Sequence, residues 1–149
     1  MATKAAQQGA VSAKLIGRWE QVGHKLTALA EEVPDSIFDY KPVEGVRTFA
    51  EVLRHVAFWN RYVADSTLGK KGDDTASELP IDEFAKARIV EALKSSVAGA
   101  AGALREIPFG PNLETAEMLV TFIEHNCEQH GQLAVYARLN GIIPPASRG

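Results

Sequence analysis

Three histidines and one glutamine are the residues of this chain whose types and spacing could hold a metal ion. His125, Gln129 and His130 lie in one segment near the C-terminus, and His55 lies in the apolar segment 53–59. Imidazole nitrogens are the most common protein ligands of Zn²⁺ and similar divalent ions. Histidines from two segments therefore predict a metal site where the fold brings the segments together.

Helical spacing decides which of these side chains can share one ion. Each residue of an α-helix advances about 100° around the axis, so His125 and Gln129 lie about 40° apart on one face. His125 and His130 diverge by about 140° and could share an ion only if a π-bulge realigned them. Regular geometry thus predicts His55, His125 and Gln129 as a converging trio, with His130 as the alternative third ligand.

A simpler interpretation competes at each histidine. An isolated histidine on a half-apolar helix is more often a core or boundary side chain than a ligand, and this holds for His55 taken alone. His24, which lies beside Lys25, is interpreted as a solvated surface residue. The metal hypothesis therefore depends on convergence of two segments and not on any single histidine.

Composition bounds the class of protein. The chain has 149 residues, a net charge of −3 and no basic stripe, which predicts one soluble globular domain and argues against nucleic-acid binding. One cysteine allows no internal disulfide. The first residues lack the apolar core of a signal peptide, and no apolar run approaches the ~18 residues of a membrane span. We therefore expect a cytoplasmic protein that does not interact with membranes.

The elements that must position these residues are helices. Apolar residues recur at three- and four-residue steps almost throughout the chain, and Pro34 and Gly141 mark two helix ends. Thr48, with Glu51 three residues later, predicts a capping box. The predicted helices span 12–33, 48–68, 82–105 and 113–140. Four helices of this length predict an all-α four-helix bundle.

The remaining segments complete the expected organisation. Residues 1–11 are expected to be a flexible N-terminus, 12–145 a single bundle and 146–149 a tail. Residues 69–80 predict a polar surface loop, and Pro108, Gly110 and Pro111 predict a turn. Large apolar residues on the inward stripes are expected to be buried: Trp19, Leu26, Leu53, Trp59, Leu93, Phe122 and Leu133.

Two segments resemble a known family. FDYKPVEGVRTFAEVLRHVAFWN at 38–60 and HNCEQHGQLAVYARLNGIIPP at 125–145 are similar to the DinB-like superfamily, which includes the YfiT-like proteins. The resemblance extends over residues 12–145. It implies an antiparallel four-helix bundle that is often a homodimer. It also implies a divalent transition metal, Zn²⁺ or Ni²⁺, held by one histidine on helix two and a His-x-x-x-His pair on helix four.

The chain departs from the family pattern at one ligand. Carried over, the helix-two ligand is His55 and the pair begins at His125, but its second position holds Gln129, with His130 next to it. A glutamine oxygen is a weaker ligand than imidazole for these metals, so the affinity for Zn²⁺ or Ni²⁺ should fall.

Two functions of different classes remain open, the first implied by the resemblance and the second by the departure at position 129. One is a metal-dependent enzyme that activates a low-molecular-weight thiol for transfer to, or isomerisation of, a small-molecule substrate. The alternative is a non-catalytic bundle with a degenerate metal site that binds a small ligand or a partner protein. Gln129 is the residue that separates them. Small residues on helix three accord with the expected dimer: Ala98, Gly99, Ala101 and Gly102.

Overall fold

The computed structural model describes residues 1–72, 85–107 and 112–149. Four long helices dominate these ranges: α1 (Lys4–Glu32), α2 (Phe49–Thr67), α3 (Lys86–Glu106) and α4 (Leu113–Leu139). No β-strand occurs in the described part of the chain, and the predicted all-α four-helix bundle is confirmed. None of the helices in these ranges combines the length and the apolar character that crossing a membrane requires.

Local chemistry explains how the site-bearing helices begin and end. The Thr48 hydroxyl accepts a hydrogen bond from the Glu51 amide, and the Glu51 carboxylate accepts one from the Thr48 amide, at 3.2 and 2.7 Å. The predicted capping box at the start of α2 is therefore confirmed. Gly141 follows α4 with a φ of 75°, the left-handed conformation in which glycine has no Cβ penalty.

The largest difference from the predicted helix limits lies in α1. The helix begins at Lys4, where Thr3 caps it, and not near residue 12. Residues 4–11 are rich in alanine and glutamine, which favour helix, but they are almost all exposed and so carry no apolar stripe to reveal it. The flexibility expected of residues 1–11 and the division into domains stay predictions.

Parts of three expected elements fall outside the described residues. They are residues 73–80 of the predicted polar loop, residues 82–84 of the third predicted helix, and the turn with Pro108, Gly110 and Pro111.

The helices pack in the ring order α1, α3, α2, α4. Helices α1 and α3 run antiparallel, because Arg105 bonds to Glu20 near one end and Lys86 to the Val33 carbonyl at the other. Helices α2 and α4 also run antiparallel. Consecutive helices α1 and α2 lie on opposite corners, so residues 33–48 must cross the end of the bundle. This crossing explains a connection longer than neighbouring helices would need.

Two groups of buried apolar residues form the core. The first apolar layer contains Leu26, Phe49, Leu53, Leu93 and Leu133, and the second contains Ile16, Trp19, Val63, Leu104 and Leu119. Five of the seven residues expected to be buried are completely buried, with 0% exposure: Trp19, Leu26, Leu53, Leu93 and Leu133. The other two, Trp59 and Phe122, are half-buried. Their rings stack on each other with centroids 5.6 Å apart and contact the half-buried histidines at the edge of the core, which is why they are less buried than expected.

Candidate metal centre

Helices α2 and α4 bring His55 and His125 together. The Nε2 atoms of the two rings lie 3.0 Å apart, and the ring centroids are 5.0 Å apart. Both side chains are half-buried, so the pair sits at the edge of the core and not in its centre. Two imidazoles that meet through the same nitrogen type can bind one ion or share one hydrogen bond.

An aromatic cluster flanks the histidine pair on one side. Trp59 lies edge-on to His55 at 6.3 Å, and Phe122 lies edge-on to His125 at 6.0 Å between centroids. Tyr62 packs against both Trp59 and Phe122, at 5.3 and 5.8 Å. The cluster restricts the rotation of both imidazoles and removes water from one side of the pair.

A chain of hydrogen bonds leads away from the other nitrogen of His125. Its Nδ1 lies 3.1 Å from Asn126 Oδ1, and Asn126 Nδ2 donates to Asn60 Oδ1 at 2.9 Å. Asn60 Nδ2 donates to Ser96 Oγ at 3.1 Å, and Ser96 Oγ donates to the Leu93 carbonyl at 2.8 Å. We call Asn60, Ser96 and Asn126 the polar layer. It links α4, α2 and α3 through the bundle interior.

The polar layer is more deeply buried than the histidines that it contacts. Exposure is 0% for Asn60, 4% for Ser96 and 1% for Asn126. Reasoning from the sequence missed these residues. For Asn60, its position in the sequence could have indicated burial. It follows Val56 by four residues and precedes Val63 by three, which places an amide on an inward stripe. Buried polar groups at such positions are expected to pair with one another.

Burial favours the neutral form of His125. Loss of water contact is the largest cause and lowers the pKa of His125 below 6.5; the bond to Asn126 raises it, and the neighbouring His55 lowers it again. Smaller contributions come from Glu128, which raises the pKa, and from Arg47, which lowers it. The imidazole is therefore neutral at physiological pH, the form in which it can bind a metal.

His130 lies in a different environment from His125. Burial lowers its pKa, and the charge of Lys25 on α1 lowers it further. Its buried Nε2 finds no hydrogen-bond partner among the described residues. Helix α4 is α-helical at every residue from 113 to 139, so it contains no π-bulge that would bring His130 beside His125. Gln129 lies one turn after His125 and is half-buried.

The segment that enters α2 is held against α4. The Tyr136 hydroxyl donates to the Arg47 carbonyl at 3.0 Å and accepts from Gln132 Nε2 at 2.7 Å. The Tyr136 ring packs edge-on against Tyr40 at 5.9 Å. These contacts fix the start of α2 relative to α4 and thereby the distance between the two histidines.

The donor set fits an ion bound by two imidazoles. Nitrogens about 2.05 Å from an ion and 3.0 Å apart subtend about 94° at it, whereas a tetrahedral angle would need about 3.3 Å. The angle is close to that between neighbouring ligands of an octahedral ion. No cluster of three or more histidine, cysteine, aspartate or glutamate side chains suited to a metal occurs in residues 1–72, 85–107 and 112–149.

The chain matches a known protein family. A family model described as the DinB superfamily matches residues 18–134, a range that includes both histidines of the pair and the whole polar layer. No curated protein and no solved structure matches the chain.

Proposed function

Because the chain belongs to the DinB superfamily, we propose that it is a divalent-metal protein whose ion is held by His55 and His125. Gln129 serves as a weak third ligand or orients a water molecule on the ion. The observation that carries the proposal is the 3.0 Å approach of the two Nε2 atoms, combined with the contact of His125 Nδ1 with a carbonyl oxygen.

The contact with Asn126 supports a ligand role for His125. Histidines that bind metals donate their second N–H to a carbonyl or carboxylate, which fixes the ring and leaves the other nitrogen free to bind. Asn126 Oδ1 stands in that position, 3.1 Å from Nδ1. Burial is the main cause of the lowered pKa of His125. Because the imidazole is then neutral at neutral pH, a metal ion does not have to displace a proton from it.

The reaction class that we propose is transfer to, or isomerisation of, a small-molecule substrate with the help of a thiol. A divalent ion supplies Lewis acidity, which lowers the pKa of a thiol or water bound to it. The chain's own residues hold the ion through two imidazoles and exclude water on the side of Trp59 and Phe122. With two strong ligands in place of three, binding is weaker than at a three-histidine site.

One observation favours a second function. A separation of 3.0 Å is also the length of a direct N–H···N hydrogen bond between the imidazoles. In that case the pair is a metal-free contact, and the chain is a non-catalytic bundle that binds a small ligand or a partner protein. Whether the purified protein binds a divalent metal distinguishes the two functions.

The test is equilibrium dialysis of untagged, metal-stripped protein against Zn²⁺ and Ni²⁺. We expect one weak site in the wild type and none in His55→Ala or His125→Ala. Gln129→His restores a pair of imidazoles four residues apart and should tighten binding by about tenfold or more, which is about 1.4 kcal/mol.

Two histidine variants serve as matched controls. His24→Ala removes an exposed imidazole from α1, and His130→Ala removes the imidazole beside Gln129 that faces α1. Both should bind metal as the wild type does. Absence of binding in the wild type would favour the metal-free function, and weaker binding in His130→Ala would make His130 the third ligand.

The homodimer is also part of the proposal, with support from the family resemblance alone. Of the four small residues expected at the interface, Ala98 and Gly99 are exposed, Gly102 is half-buried and Ala101 packs inside its own bundle at 2% exposure. Any interface on α3 would therefore use Ala98 and Gly99 and not Ala101. Light scattering over a range of concentrations tests the dimer, and a mass of one chain at the highest concentration would contradict it.

A further inference from the structure

The hydrogen bonds of the polar layer all point the same way. From His125 each donor faces the next acceptor: the ring toward Asn126, Asn126 toward Asn60, and Asn60 toward Ser96. The chain ends on α3, where Ser96 Oγ donates to the Leu93 carbonyl at 2.8 Å. A backbone carbonyl only accepts hydrogen bonds, so this last partner fixes the direction at the far end.

Counting protons extends this direction from Ser96 back along the series of hydrogen bonds to His125. Ser96 has one hydroxyl proton, and because the Leu93 carbonyl takes it, the oxygen must accept from Asn60. Asn60 therefore turns its amino group to Ser96 and its oxygen toward α4. Asn126 must then present its amino group to Asn60 and its oxygen to the imidazole. An imidazole nitrogen facing that oxygen has to carry the proton.

The reversed arrangement makes one hydrogen bond fewer. If both amides were flipped, Ser96 would have to donate to Asn60, and its bond to the Leu93 carbonyl would be lost. At exposures of 0% for Asn60 and 4% for Ser96, water cannot replace that bond without entering the core. A lost bond to a buried group is unfavourable, so the arrangement that includes Leu93 is favoured.

We propose that Ser96, Asn60 and Asn126 are positioning residues that fix His125 as the tautomer protonated on Nδ1. The lone pair of His125 then resides on Nε2 and points at His55 Nε2, 3.0 Å away. Helix α3 thus contributes to the site although no α3 side chain touches the histidine pair through these bonds. The inference rests on the proposed function only for the use of that lone pair, because the tautomer exists without any metal.

The first test measures the tautomer directly. Long-range ¹H–¹⁵N spectra of metal-stripped protein, at a pH well above 6.5, distinguish a protonated from an unprotonated ring nitrogen in each histidine. In the wild type we expect His125 to be protonated on Nδ1. In Ser96→Ala, which changes a residue on another helix, we expect the form protonated on Nε2 to become populated.

Matched variants separate orientation from stability. Thr67→Val removes a hydroxyl at 7% exposure that donates to the Val63 carbonyl of its own helix and lies outside the polar layer. It should leave the tautomer of His125 unchanged. Asn126→Ala should remove the preference of His125 for the form protonated on Nδ1. Asn126→Asp, which keeps an acceptor oxygen beside Nδ1, should retain that preference.

Metal affinity gives an independent readout on the same variants. Loss of a group that orients a metal-binding histidine lowers affinity by about 10- to 100-fold, and we expect this for Asn126→Ala with Zn²⁺. Ser96→Ala should show a smaller loss, and Thr67→Val none.

The outcomes separate this inference from the proposed function. A wild-type His125 protonated on Nε2, or an unchanged tautomer in Ser96→Ala, would overturn the inference even if metal binds tightly. A tautomer that follows the variants in a protein without metal affinity would support the inference and overturn the proposed function. Ser96→Ala removes one oxygen only, so the test remains available if Asn126→Ala does not fold.

Discussion

The polar layer and the two apolar layers that enclose it are built from the same helices but have different roles. On α2, Asn60 lies between Phe49 and Leu53 of the first apolar layer and Val63 of the second. On α3, Ser96 lies between Leu93 and Leu104 in the same way. All of these side chains are almost completely buried. Burial alone therefore does not distinguish the region that stabilises the bundle from the region that orients its candidate site.

The difference lies in what each contact specifies. Apolar contacts stabilise in proportion to buried area and have little directional preference. Each hydrogen bond of the polar layer has a donor and an acceptor, so it specifies the orientation of one side chain relative to the next. The apolar layers hold α2 and α4 at the distance at which His55 meets His125, and the polar layer sets which nitrogen of His125 carries the proton.

The largest expected effect is on stability and comes from an apolar layer. Leu53→Ala removes a side chain with 0% exposure from the helix that carries His55. Its free energy of unfolding should fall by about 2–5 kcal/mol because a cavity is left behind. Urea denaturation measures the loss, with Val135→Ala, at 54% exposure, as the control. A loss below about 1 kcal/mol would contradict the division into layers.

The second largest expected effect is the loss of stability when the polar layer is disrupted. Asn126→Ala leaves Asn60 Oδ1 without its donor, and an unsatisfied buried group costs about 1–3 kcal/mol of stability. The triple variant Asn60→Leu, Ser96→Ala, Asn126→Leu removes both partners of every bond within the layer and should recover part of that loss. Denaturation of the single and triple variants tests this, and a triple variant much less stable than Asn126→Ala would contradict a purely orienting role.

The sequence predicted the apolar layers well and the polar layer not at all. Apolar periodicity marks an inward stripe, which is why Leu26, Leu93 and Leu133 were identified as core residues. A polar residue on that stripe, such as Asn60, gains meaning only when its partner is known. Its partners lie 36 and 66 positions away on α3 and α4, and helical spacing does not show which helices are neighbours.

The candidate site itself was predictable in part for the same reason. Spacing on one helix predicted His125 and Gln129 together with His130 turned away, and in the structure the charge of Lys25 on α1 lowers the pKa of His130. Helical spacing predicted that His55 and His125 converge, but their approach also required α2 and α4 to be neighbours, which spacing does not determine and the family resemblance implied. The role of Gln129 stays a prediction.

A third, smaller effect lies outside all three layers. Thr48→Ala removes half of the capping box at the start of α2 and should lower stability by about 1 kcal/mol. Because the cap touches neither histidine, the tautomer of His125 and the affinity for Zn²⁺ should not change. Denaturation and dialysis on one preparation measure both, and an altered affinity would show that the position of α2 depends on its cap.

The smallest expected differences are in pH dependence. The pKa values of His125 and His130 are lowered from 6.5 chiefly by burial, so the unfolded chain binds protons first as the pH falls. Their contribution to stability is therefore present above 6.5 and is lost as the pH falls through and below that value.

Two variants isolate one of these contributions. His130→Gln should reduce the loss of stability on acidification, measured as the urea midpoint at a series of pH values. His24→Gln, which removes an exposed imidazole, should keep the wild-type dependence. A dependence of His130→Gln equal to that of the wild type would show that burial of His130 does not affect acid stability.

Zinc titration followed by long-range ¹H–¹⁵N spectra of all four histidines tests the central claim most directly. The claim is that one ion binds between His55 Nε2 and His125 Nε2. We predict that zinc shifts the Nε2 signals of these two histidines together and saturates them at the same concentration, while His24 and His130 keep their metal-free signals. Joint shifts that include His130, or no shift at His55 and His125, would contradict the two-imidazole site.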